Sequence, residues 1–208
     1  MNSAKVPREK TALKKIEAIV PEIYRAFEHG TAKSSDYFRL EKLHRDPHLE
    51  AMIVKAHARQ HLQHAEHFSR VAFDKLAMCG ISFRYHGWQF RLWKSAEHNG
   101  PKIPQPGNSS KRQNYFVQPE QLNLFEHKKT VIGPKLHLII LWNLDDRGAL
   151  ERLWLVCPAS FNPQTGEINV HWTVELPNPT TAIQTSATPA SVPDLIIKPR
   201  EIKKAKEG

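Results

Sequence analysis

The sequence predicts an α+β fold in which N-terminal helices pack on an antiparallel sheet built from a hairpin and a three-stranded meander. Three observations carry that expectation. Apolar residues recur at helical spacing over residues 1–80, and they alternate with polar ones from Ile81 onward. They then run almost unbroken through Leu138, Ile139, Ile140, Leu141 and Trp142, as a central strand covered on both faces requires. The chain has 208 residues, 40% apolar and 25% charged, enough for a real core.

Leu13, Ile16, Ile19, Val20, Ile23 and Phe27 predict a first helix from Thr11, with Gly30 as its stop and Pro21 as a kink or a split. A second helix from Ser34 or Ser35 carries Tyr37, Phe38, Leu40 and Leu43. It closes at Arg45-Asp46-Pro47, because a residue before proline is pushed out of the α region. Pro47 suits the first turn of a third helix, expected from His48 to Leu76 with Gly80 as its end.

From Ile81 the period changes to two. Ile81, Phe83 and Tyr85, then Trp88, Phe90 and Leu92, flank a His86-Gly87 turn and predict a hairpin. Residues 96–120, rich in Pro, Gly, Asn, Ser and Gln, read as a long loop. Leu136 to Leu144, Leu150 to Cys157 and Ile168 to Leu176, joined by short turns, complete a β region over 81–176. Residues 177–208 form a Pro-rich, Lys-ended tail with too little apolar surface to fold alone, so disorder is expected there.

Charge narrows the class of partner. There are 30 Lys and Arg against 21 Asp and Glu, a net +9, and Met1 to Lys129 alone holds 22 basic and 13 acidic residues. A polyanion is the partner such a balance favours. Two cysteines, Cys79 and Cys157, make no disulfide framework. Met1 to Lys10 has no apolar stretch of the signal-peptide type, and the longest apolar run is far too short to span a bilayer. A cytoplasmic protein without a membrane partner is the expectation.

The most specific string is Gln121-Leu122-Asn123-Leu124-Phe125. It resembles the Gln-Leu-x-Leu-Phe pentapeptide by which bacterial replication and repair proteins bind the DNA sliding clamp, and it matches at all four specified positions. Leu122, Leu124 and Phe125 make a compact apolar knob for a hydrophobic pocket, and Gln121 supplies an amide that orients it. The resemblance implies a sliding clamp as partner and covers five residues. The alternative is a loop anchor whose apolar side chains pack on the protein's own sheet.

Three further constellations bear on chemistry. The basic, aromatic hairpin and the loop after it bring Arg84, Arg91, Lys94, Lys102, Lys111 and Arg112 among Trp and Tyr side chains, a pattern suited to DNA or RNA. His57, His61 and His64 share one face of the third helix at metal-ligand spacing, although the Glu that a zinc protease needs after the first His is replaced by Ala58. Asp145, Asp146, Glu151, Glu167 and Glu175 invite a Mg²⁺-nuclease reading, and a small basic nuclease or RNase would instead place His86, Arg84 and Arg91 around a phosphodiester. Asp145 to Gly148 is equally what a hairpin turn requires.

The sequence thus points to a non-enzymatic accessory protein of bacterial, phage or mobile-element DNA replication or repair. It would dock on the sliding clamp and contact nucleic acid with a basic surface, without a cofactor. A small basic nuclease or RNase toxin and a His-rich metal-binding module are the alternatives.

Overall fold

A computed structural model describes residues 6–97, 100–107, 109–118 and 136–179. The fold is α+β, with three main helices and a five-stranded sheet. Residues 180–208 of the expected tail and the Gln121–Phe125 pentapeptide lie outside the described residues. No described helix is long and apolar enough to cross a membrane.

Helix α1 spans Glu9–Ile16 and α2 spans Val20–Leu40. The predicted split before Pro21 is there. Pro21 stands in the first turn of α2, where its missing N–H removes no intrahelical bond. Gly30 is not a stop, and the helix expected from Ser34 is the continuation of α2. A Cβ at Gly30 would lie 2.5 Å from the Val54 carbonyl oxygen, so the missing side chain lets the backbones of α2 and α3 approach. Helix α3, Pro47–His64, starts as Asp46 accepts from the amides of His48 and Leu49 at 2.9 and 2.7 Å. It ends twelve residues before the predicted Leu76. A 3-10 turn, Glu66–Phe68, drops Phe68 into the core against Phe83 (ring centroids 5.1 Å), and tertiary packing overrides the helical period.

Strands β1 (Ile81–Tyr85) and β2 (Trp88–Lys94) form the predicted hairpin. His86 and Gly87 both take positive φ, 49° and 77°, as a type I′ turn demands. Strands β3 (Leu136–Leu144), β4 (Leu150–Phe161) and β5 (Ile168–Glu175) form the predicted meander, with Pro158 confined to a bulge in β4. One feature departs from the all-antiparallel expectation: β2 pairs with β3 in parallel, Phe90 opposite Leu138, so the sheet is mixed, in the order β1-β2-β3-β4-β5. A parallel pair needs a crossover, and residues 95–135 supply it.

Both faces of the sheet are covered. On one, Ile16, Ile23, Phe27, Val54 and Leu62 of the helices pack on Phe83, Phe90, Ile140, Trp142 and Leu155. On the other, Tyr115 and Phe116 of the crossover pack on Ile139, Leu141, Trp154 and Val156. Residues 96–120 are therefore more than a loop. They include a short helix α4, Ser110–Gln113, and a 3-10 turn, Asn114–Phe116, which seat two aromatics on the sheet.

Candidate nucleic-acid interface

The alternation along β2 sends Trp88, Phe90 and Leu92 toward the helices and Gln89, Arg91 and Trp93 to the opposite face. The β1 register places Ser82 beside Arg91 and Arg84 beside Gln89 on that face. The crossover adds Tyr115 and Arg112. The Arg91 guanidinium stands 4.7 Å from the Tyr115 ring centre and 5.7 Å from that of Trp93, and Arg112 stands 6.0 Å from Trp93. Two cations thus rest on one aromatic corner, an arrangement that partly replaces the water they lose.

Arg91 is half-buried, and its buried Nε has no hydrogen-bond partner. Burial pulls this guanidinium below its usual pKa; Tyr115 opposes that shift and nearby Arg112 adds to it. Arg84, Arg91 and Arg112 make no ion pair among the described residues, in contrast to Arg25, Arg39, Arg45 and Arg152. The nearby carboxylate, Asp74, is occupied by the Ser82 hydroxyl at 2.5 Å and the Gln89 amide at 2.7 Å.

His137 closes the corner. Its ring stacks on Tyr115 at 4.5 Å and 7°. Nδ1 lies 3.1 Å from the Tyr115 carbonyl and 3.2 Å from that of Val117; both are acceptors, so Nδ1 carries the proton. Burial drives its pKa down to about 4, helped by Arg91 and Arg84 and opposed by the two carbonyls, so the ring is neutral at pH 7. The Tyr115 hydroxyl shares its proton between the Leu138 and Gln89 carbonyls at 2.7 and 2.9 Å, and burial holds it well above its ordinary pKa.

Beside His137 the buried Gln118 side chain behaves as a piece of strand. Its Oε1 accepts from the His137 amide at 3.0 Å, and its Nε2 donates to the carbonyls of His137 and Pro158 at 3.2 and 2.5 Å. Gln118 and His137 are thereby held side by side.

The six predicted basic contacts separate. Arg84, Arg91 and Arg112 come together. Lys94 turns to the helix face, its ammonium 5.9 Å from the Trp142 ring, and Lys102 is paired with Glu97. Lys111 is on α4, its side chain outside those described. Tyr115, His137 and Gln118 were not expected in the site, because nothing in the local pattern shows that the crossover folds back over β2 and β3. Lys55 of α3, outside this corner, donates to the Met78 carbonyl at 3.3 Å, and burial lowers its pKa, opposed by Cys79.

Among the described residues, no three of His, Cys, Asp and Glu converge so as to hold a metal ion. His57 and His61 face His29 of α2, at ring distances of 6.0 and 5.5 Å, and the His64 Nδ1 is committed to the Gln60 carbonyl at 2.8 Å. One face of α3 is thus a packing seam with α2. There the buried Glu22 binds Arg25 at 2.9 Å and approaches His61 and His67 at 3.9 and 3.7 Å.

The carboxylates of the nuclease reading also have other work. Asp145 accepts from the amides of Arg147 and Ala149 in its own turn, Glu151 accepts from Asn143 at 2.7 Å, and Glu175 lies 3.8 Å from Arg152. His86 occupies the hairpin turn, its ring 4.2 Å from Tyr85. Comparison of the chain with family models, curated proteins and solved structures finds no match in any of the three.

Proposed function

We propose that the chain is a non-enzymatic accessory protein of bacterial, phage or mobile-element DNA metabolism. It docks on the sliding clamp through Gln121, Leu122, Leu124 and Phe125 and holds nucleic acid with the sheet face bearing Arg84, Arg91 and Arg112. One observation supports this reading: Arg84, Arg91 and Arg112 gather on one sheet face, and Gln118, three residues before the pentapeptide in sequence, is bonded to His137 on that face. A clamp encircles DNA, and a protein that touches clamp and DNA from one side gains the high local concentration of a tethered second contact.

The test uses purified full chain and a bacterial sliding clamp. Leu124→Ala with Phe125→Ala should weaken clamp binding at least about a hundredfold, since each buried large apolar side chain is worth about 1.5 to 3 kcal/mol, with no change in Tm. A lower Tm would make these residues internal anchors. On the nucleic-acid side, Arg84→Ala with Arg112→Ala should reduce the salt slope of binding by about 2. No retention of the wild-type chain on DNA or RNA at low salt would overturn the interface.

A further inference from the structure

We infer that the Arg91–Trp93 corner takes a single strand of nucleic acid in preference to a duplex, with a phosphate at Arg91 and the adjoining base on the Trp93 indole. The inference rests on the nucleic-acid reading above and narrows it to a substrate class.

Arg91 is the first reason. Its guanidinium is half-buried over Tyr115, forms no ion pair among the described residues although Asp74 acts on its charge from nearby, and keeps a buried Nε–H without an acceptor. A donor left in this state destabilises the ligand-free arrangement, and an arriving oxyanion lets the guanidinium turn outward and satisfy its fork. Trp93 is the second. Phe116, at 5.3 Å, and Tyr115, at 5.7 Å with the rings inclined by 66°, support the indole, and the Arg112 guanidinium rests over it at 6.0 Å. A guanidinium plane and a nucleobase are alternative stacking partners for one ring. A base that displaces Arg112 frees that cation for the next phosphate along the strand.

A duplex offers neither contact. Its bases are stacked inside, and its outer phosphates reach Arg84 and Arg112, both exposed, but not a half-buried Arg91. The exposed pair accepts any polyanion; Arg91 and Trp93 discriminate.

Fluorescence anisotropy of a short labelled single strand and of the same sequence as a duplex, at about 0.1 M salt, tests this. The single strand should bind at least about tenfold tighter. Trp93→Leu keeps an apolar contact with Phe116 and should abolish that preference by weakening the single strand more than the duplex; Trp93→Phe should restore part of it. Arg91→Lys, which keeps the charge and loses the fork, should weaken the single strand more than the duplex, and it decides the matter if Trp93→Leu does not fold. Equal affinity for both forms, or variants that weaken both alike, overturns the inference and leaves the nucleic-acid reading standing. Binding to neither form overturns both.

Discussion

Acidification should destabilise this protein through His137, and the size of the effect follows from its surroundings. The ring is buried between Tyr115 and the β3 backbone, Nδ1–H is committed to two carbonyls, and its pKa falls from 6.5 to about 4. As pH drops below about 6.5 the unfolded chain takes up a proton that the folded chain refuses until about 4, so stability present at neutral pH is lost across that window. Between about pH 7.5 and pH 5 the loss from this group comes to about 2 kcal/mol, and below pH 4 it reaches about 3 kcal/mol. Urea unfolding of wild type and of His137→Asn, whose amide can donate in place of Nδ1–H, isolates the effect. The variant should be less stable at pH 7.5 yet lose about 2 kcal/mol less on going to pH 5. Identical pH slopes would refute the reasoning, as would an imidazole seen by NMR to titrate near 6.5. Because His137 is neutral throughout the physiological range, it adds no charge to the arginine corner, and affinity for nucleic acid should not respond to its titration between about pH 6 and 8.

Gly30→Ala should destabilise the chain: forcing a methyl group against the Val54 carbonyl costs about 1 to 3 kcal/mol, only partly offset by the roughly 1 kcal/mol that alanine gains in helix propensity, and urea unfolding measures the balance. Gln118→Leu should cost at least about 2 kcal/mol, because three backbone groups of His137 and Pro158 lose their partner, and amide exchange at His137 should accelerate. Tyr24→Phe removes a 2.8 Å bond from the buried hydroxyl to the Leu176 carbonyl and should lower stability by about 1 to 2 kcal/mol, read as a shift of the urea midpoint at constant slope.

Local signals in the sequence translated well into local structure, and contacts between distant segments did not. The His86-Gly87 turn, the Asp46-Pro47 helix start and the alternation of β1 and β2 each depend on a few neighbouring residues, and each is present. Gly30 misled because a glycine after an apolar helical run has the same signature whether it ends the helix or admits a second one. Only Val54, in another helix, distinguishes the two. The parallel pairing of β2 with β3 was illegible for the same reason: a strand's alternation says which side chains share a face, not which neighbour it pairs with or in which direction.

The same division runs through the candidate site. Arg84 and Arg91 could be assigned to one face from the hairpin alone, and the inward position of Lys94 follows from its place next to Trp93 once the alternation is carried one residue further. Arg112 reaches that face only because Tyr115 and Phe116, two aromatics in a stretch otherwise poor in apolar side chains, bind the crossover down on Ile139 and Leu141. Those aromatics were the available signal. In a Pro- and Gly-rich segment, adjacent large aromatic residues cost solvation unless they are buried, and burying them forces the segment onto a sheet face. Once it is there, Gln118 must find partners for its amide, and it finds them on His137 and Pro158. The charge and the aromatic platform thus share one cause, the packing of Tyr115 and Phe116.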